Sequence, residues 1–211
     1  MRDAPTTILV LAKEPLPGRV KTRLCSRFSA VEAAQLAAAA LRDTLDAVLR
    51  APARRRVLML DGRPGDWVPT GIEVLPQCSG GLDERIADAL ARASGPTLLI
   101  GMDTPQVTPR QLSVRWTDHD AWFGPSDDGG FWALGMRDPH PDLVLGVPMS
   151  TSFTGAVQLG RLRDAGLGVG LLPQLCDVDT PACAARVAAL APHTHFARTH
   201  AGMIGRARDV G

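Results

Sequence analysis

The sequence predicts an α/β fold: a mainly parallel central sheet with helices on both faces and a small antiparallel element. Three observations predict it. Short apolar runs alternate along the chain with longer Ala- and Leu-rich stretches at helical spacing. The short runs are continuously apolar, as parallel strands buried on both faces are. One of them, Thr97-Leu-Leu-Ile-Gly-Met-Asp103, stops abruptly on an acidic residue. The carboxyl ends of such strands are where open α/β sheets hold their ligands.

The elements follow in order. Residues 7–12 read as the first buried strand. Residues 13–24 are too rich in Pro and Gly to be helical and too basic to be buried. Ser29 with Glu32 is a capping-box pair that opens a long helix to about Arg50. Strands are expected at 56–61 and 72–75, then a helix over 82–93 and the Asp103 strand. Thr108, Pro109 and Gln111 supply an N-cap, a proline at the first helical position and a capping-box partner. Residues 121–124 and 131–136 read as two closely spaced strands joined by a Gly-rich turn, the source of the antiparallel element. A helix is expected over 150–165, a last strand over 168–172, and a helix from Thr180-Pro181 to about Leu190. Residues 191–211, with His193, His195 and His200, read as a loose tail, so the expectation is one domain over 1–211 with its core at 7–190.

The bulk composition narrows the function classes. With 211 residues the chain is long enough for a real core, and 45% hydrophobic with 21% charged residues is ordinary for a globular protein. A net charge of +1 gives no overall field for nucleic acid or a membrane surface, so any anion site must be local. No apolar run is long enough to span a bilayer, and Met1 to Thr7 lacks a signal-peptide pattern. Cys25, Cys78, Cys176 and Cys183 form no Cys-x-x-Cys pair, so they read as free thiols in a reducing cytoplasm.

Four stretches could carry chemistry. In the loop after the first strand, Lys13, Arg19, Lys21 and Arg23 offer charge-assisted bonds to phosphate, and Gly18 lets the backbone approach a ligand. The spacing excludes a P-loop and a Rossmann fingerprint. Asp103 could hold a divalent cation, which prefers carboxylate oxygen, or could simply be a turn residue. Asp127 and Asp128, followed by Gly129 and Gly130, form either a plain hairpin turn or a turn facing a substrate. Asp177 and Asp179 alternate along an extended chain toward one face, which suits a cation or merely a helix boundary. No Gly-x-Ser-x-Gly frame accompanies Ser150 to Ser152, and the tryptophans and phenylalanines read mainly as core.

The order Ala12-Lys-x-Pro-x-Pro-Gly-x-Val-Lys-Thr-Arg-Leu24, Gly101-x-Asp-x-Pro105, Gly124-Pro-x-x-Asp-Gly-Gly130 and Asp177-Val-Asp-Thr-Pro181 resembles a bacterial family of GT-A-fold glycosyltransferase-like proteins (DUF2064-like). That family includes members linked to arsenosugar biosynthesis and sits within the nucleotide-diphospho-sugar transferase superfamily. The match covers about residues 7–190. The resemblance implies that the first loop, with Ala12, Lys13, Gly18, Arg19, Lys21 and Arg23, binds a nucleotide together with Asp103. It implies Mg2+ or Mn2+ on Asp103 and on Asp179, or else Asp177. It places Asp127, Asp128, Gly129 and Gly130 on the acceptor side; the expected catalytic residues are Asp103, Lys21 and Asp128, the last as a general base for an acceptor hydroxyl. Two departures stand out: Ala182 and Cys183 follow Pro181 where relatives carry acidic residues, and Met149 precedes Ser150-Thr151 where a Trp is common.

The expected activity is metal-dependent glycosyl transfer from a nucleotide sugar to a small-molecule acceptor. Nucleotidyl transfer with release of pyrophosphate is the alternative, and a non-catalytic nucleotide-binding domain is a third. No nucleic-acid or membrane partner is expected.

Overall fold

The computed structural model describes residues 5–209. Seven strands form one sheet: β1 (Thr7–Lys13), β2 (Arg55–Asp61), β3 (Glu73–Pro76), β4 (Thr97–Gly101), β5 (Ala121–Pro125), β6 (Phe131–Met136) and β7 (Val169–Leu171). Their spatial order is β3-β2-β1-β4-β6-β5-β7. Every neighbouring pair is parallel except the two that β6 makes, with β4 and with β5. The Gly-rich turn between β5 and β6 thus supplies the expected antiparallel element.

Strand alternation sorts the core into two layers. Ile8, Val10, Leu58, Leu60, Leu98 and Ile100 face α1 (Ala30–Arg50), against its Ala37, Leu41, Leu45 and Val48. Leu9, Val57, Met59 and Leu99 face the other way, against Ile86 and Leu90 of α2 (Leu82–Ala91) and Leu162 of α4 (Thr154–Asp164). Each fully buried leucine of this kind contributes about 2 kcal/mol. The Ser29–Glu32 capping box forms and opens α1, and the Thr108–Gln111 box opens α3, which is a single turn (Pro109–Leu112). The expected helix at 150–165 starts later, at Thr154, because Ser150 sits at φ 59°, outside the right-handed helical region.

The tail reading is corrected. Residues 195–209 form α6 (His195–Asp209), which packs with α5 (Pro181–Leu190) on the far side of α1. Phe196 and Met203 join Leu36, Ala40, Val178 and Val187 in a third apolar cluster. This explains why α1 is rich in Ala and Leu nearly all round, since it is buried on two sides. The buried Asp43 of α1 accepts the backbone N–H groups of His195 (2.9 Å) and Phe196 (2.8 Å), and so caps α6 from outside. Among the described residues, no helix is long and apolar enough to cross a membrane.

Candidate active site

The carboxyl ends of the mutually parallel strands converge on one cleft of about 620 Å³. Lys13 ends β1, Asp61 ends β2, Gln77 follows β3, Asp103 follows β4 and Asp128 follows β5. All but Asp61 line the cleft, with Asp177 and Asp179 arriving from the strip before α5.

Lys21 stands at the centre. The Pro- and Gly-rich loop brings it into a left-handed conformation (φ 51°, ψ 37°) just before a 3-10 turn at Thr22–Ser26. Lys21 and Ser150 are the two non-glycine residues with positive φ among those described, and both line the cleft. Backbone strain of this kind concentrates at functional sites. The Lys21 side chain is only 6% exposed, and its Nζ lies 2.8 Å from Asp103 Oδ1 and 2.9 Å from Asp179 Oδ1. Burial alone would depress its pKa, but the two carboxylates outweigh that effect and hold it above the usual lysine value. Arg23 Nη1 reaches Asp179 Oδ2 at 3.3 Å from an exposed position. The backbone N–H of Val178 donates to the Asp103 carbonyl (2.9 Å), which fixes the late strip against the end of β4.

A second focus lies beside the first. One carboxylate oxygen each of Asp128, Asp177 and Asp179 falls within 4.8 Å of the others. Burial, then the neighbouring Asp128 and Asp179 charges, push the Asp177 carboxyl up to about 6. Asp128 Oδ1 accepts the Gly130 N–H at 2.8 Å, which holds the tip of the turn.

The residues singled out by sequence divide clearly. Ala12, Lys13, Arg19, Lys21, Arg23, Asp103, Asp128, Gly130 and Asp179 line the cleft. Gly18, Asp127 and Gly129 are not among its lining residues. Gly18 makes a positive-φ turn with no heavy atom near its Cα face, so its use is to bend the loop. Asp127 is engaged elsewhere, by Gln174 Nε2 (2.7 Å) and Arg186. Gly129 meets the backbone of Ser152, where a Cβ would come within 2.0 Å of a carbonyl oxygen, and its own carbonyl accepts the Gly155 N–H at 2.8 Å. The turn therefore supports the cleft wall lined by Asp128 and Gly130 from behind. Asp103 and Asp179 share Lys21, whereas Asp179 shares its carboxylate group with Asp128 and Asp177.

Sequence reasoning passed over Arg85, Gln77 and Thr154, and met Ser150 and Thr151 only as a rejected nucleophile frame and as the pair behind the Met149 departure; all five line the cleft. Arg85 Nη1 bonds Asp61 Oδ2 (2.8 Å) and Gln77 Oε1 (3.3 Å). That hydrogen bond, opposed by burial and helped by the Arg85, Lys13 and Arg19 charges, holds the Asp61 carboxyl below its usual range. One signal was available: Asp61 ends its strand as abruptly as Asp103 does.

Comparison with known proteins agrees with this architecture. The family model described as an uncharacterized protein conserved in bacteria, DUF2064, matches residues 35–151. The chain belongs to this family. Among solved structures, one provisionally named a nucleotide-diphospho-sugar transferase, from Desulfovibrio desulfuricans G20, is 27% identical, with a TM-score of 0.76 over 83% of this chain and 82% of that one. The 2-C-methyl-D-erythritol 4-phosphate cytidylyltransferase of Thermus thermophilus is 15% identical, with a TM-score of 0.53 over 90% of this chain and 100% of that one. Rv0371c of Mycobacterium tuberculosis H37Rv, solved in complex with manganese, is 22% identical, with a TM-score of 0.50 over 88% and 98%. No curated protein matches the sequence. The nucleotide-diphospho-sugar transferase fold implied by the four motifs is the fold of this DUF2064 member.

Proposed function

We propose that the protein is a metal-dependent transferase that takes a nucleotide-activated donor and moves its glycosyl group to a neutral hydroxyl of a small-molecule acceptor. One observation carries this reading: the charge of the cleft is divided. Its cations all come from residues 13–85, namely Lys13, Arg19, Lys21, Arg23 and Arg85. The lining contributed by residues 99–179 offers Asp103, Asp128, Asp177 and Asp179 with hydroxyl and apolar groups, and no Lys or Arg. Donor phosphates suit the first half. Lys21 and Arg23 already offset Asp103 and Asp179, so an acceptor phosphate in the second half would face Asp128 and Asp177, which have no basic side-chain partner among the described residues, whereas a hydroxyl can donate to them.

The donor set also suits the implied ion. Three clustered carboxylate oxygens, with Asp177 resisting ionisation among like charges, are hard ligands for Mg2+ or Mn2+. Asp177 and Asp179 would hold the ion, which would help neutralise charge on the donor phosphates. Lys21 lends its fixed positive charge to the leaving phosphate. Asp128, the most exposed of the three, accepts the proton of the acceptor hydroxyl. Asp103 orients Lys21 from the opposite side.

Nucleotidyl transfer is the second reading, in which the acceptor attacks the α-phosphorus and pyrophosphate leaves. The number of cations in the donor half favours it, because a triphosphate carries more charge than a diphosphate sugar. A thermal-shift panel of sugar nucleotides and nucleoside triphosphates, with and without Mg2+ or Mn2+, separates the two. A metal-dependent shift with a sugar nucleotide is expected. A shift with triphosphates alone transfers the assignment to the second reading, and no metal-dependent shift with any nucleotide overturns both.

A further inference from the structure

One wall of the cleft is the open edge of the apolar core. Ile86 of α2 and Leu99 of β4 are buried in the core layer beneath it, and Phe131 of β6 and Met149 pack half-buried against that same cluster. All four line the cleft. Leu82, one helical turn before Ile86, extends the wall from α2 and stands 42% exposed.

The wall adjoins Asp128. Phe131 directly follows the turn that carries Asp128, and the chain after Met149 locks onto that turn, with the Gly155 N–H donating to the Gly129 carbonyl (2.8 Å). The chain before Met149 is tied to the first turn of α2, where Asp83 accepts the Gly146 N–H (2.9 Å). The hydroxyls nearest to Met149 in this segment's bonding are already used. Thr154 donates to the Pro148 carbonyl (2.7 Å), so in its 3.1 Å contact with Thr151 the Thr151 hydroxyl is the donor. Neither has a proton left for a ligand. A polyol seated here would lose water from its further hydroxyls and gain nothing from these two, whereas apolar surface laid on the wall would release water from both sides.

We propose that the acceptor is an alcohol with an apolar body, its hydroxyl at Asp128 and its body on Leu82, Ile86, Phe131 and Met149. This rests on the glycosyl-transfer reading above and adds to it the class of acceptor. The donor does not account for the wall, because its phosphates, ribose and sugar all need polar partners. Only the face of its base could cover apolar side chains, and competition by a nucleotide decides that point. Transfer exchanges the bond from sugar C1 to the phosphate oxygen for a bond from C1 to the acceptor oxygen. The electron pair of the broken bond leaves with the nucleoside diphosphate, and the acceptor proton ends in solvent.

The test offers the full chain linear primary alcohols from ethanol to octanol, with glycerol and glucose as polar comparators. Two readouts run in parallel. One is nucleoside diphosphate released from the sugar nucleotide that gives the largest thermal shift with Mn2+; the other is saturation-transfer NMR of the alcohols, which needs no turnover. Both kcat/KM and affinity should rise about threefold to fourfold per methylene until the wall is covered. Met149→Gln should flatten that rise and Met149→Leu should keep it. Leu82→Gln, at an exposed position, should flatten it too and stands in if Met149→Gln does not fold. Transfer to glycerol or glucose in preference to octanol overturns the proposal and leaves the transfer reading standing. A nucleoside monophosphate that displaces octanol gives the wall to the base and overturns the proposal as well, as does a flat series in both readouts. Chain-length-dependent binding with no diphosphate released to any acceptor supports the apolar site and overturns the transfer reading instead.

Discussion

Two carboxylate clusters in this molecule have similar composition and opposite fates. Asp43, Asp46 and His195 bring their ligating atoms within 4.8 Å of one another, as Asp128, Asp177 and Asp179 do. In the first, the Asp43 carboxylate is fully spent. It accepts two backbone N–H groups at the start of α6, and its Oδ1 also lies 2.9 Å from His195 Nδ1. In the second, three acidic groups crowd the mouth of the cleft, and Asp177 is pushed up to about 6 by burial and its neighbours. Acidic density alone therefore does not mark a site. What separates the clusters is that the fold satisfies Asp43 completely, whereas in the second only Asp179 is paired, by Lys21 and Arg23, and Asp128 and Asp177 have no basic side-chain partner among the described residues.

The predictions aim at this contrast. The largest effect should come from Asp179→Asn, which removes a charge facing both Lys21 and the proposed ion. Turnover with a donor that gives a metal-dependent shift should fall about a hundredfold or more, read as kcat under saturating Mn2+. Unchanged kcat would place Asp179 outside the chemistry.

Asp43→Asn should do the reverse. It should cost about 2–3 kcal/mol in urea unfolding, because an amide cannot accept both α6 N–H groups and leaves one of them unsatisfied. The Mn2+-dependent rise in Tm should be the same as in the wild type, and a lost rise would make the first cluster a metal site after all.

Asp177→Asn should stabilise the metal-free protein at neutral pH. The folded pKa of about 6 lies above the ordinary 3.8, so ionisation is disfavoured in the fold. The resulting cost is absent below about pH 4, grows between 4 and 6, and is fully present above 6. Asn carries no such cost, so the variant should melt higher than wild type at pH 7.5 and level with it near pH 4. A gap that persists at pH 4 would mean that packing, and not charge, is responsible.

The smallest effect should come from His195→Ala. Its side chain is about one-third exposed, and Asp43 keeps both backbone donors without it. A change below about 1 kcal/mol in unfolding free energy is expected. A larger loss would show that the imidazole, and not the backbone, is what Asp43 needs.

The sheet was legible because its strands are unbroken apolar runs, and both capping boxes were legible because Ser29–Glu32 and Thr108–Gln111 are local. The α6 helix was not legible. Its two best-buried large side chains, Phe196 and Met203, are set among His, Arg, Thr and Gly, and its cap comes from Asp43, 152 positions away. In the site, the basic loop and Asp103 could be read, since each follows a strand. Asp127 and Asp128 could not be told apart: neighbouring residues on a turn point different ways, and only packing decides that Asp127 meets Arg186 while Asp128 faces the cleft. Arg85 was hidden because its place on α2 depends on Asp61, which ends β2, 24 positions away.

The interlock of Gly129 with Ser152, and of Gly155 with the Gly130 carbonyl, acts like a rivet between two stretches of main chain. No side chain can be inserted there without parting them, so the height of this wall of the cleft is set by backbone alone. If the proposed transfer is right, the choice of acceptor falls to the side chains at the rim of this wall, Met149, Ser150 and Thr151. The departure at Met149 is then the first place to look for what this chain takes.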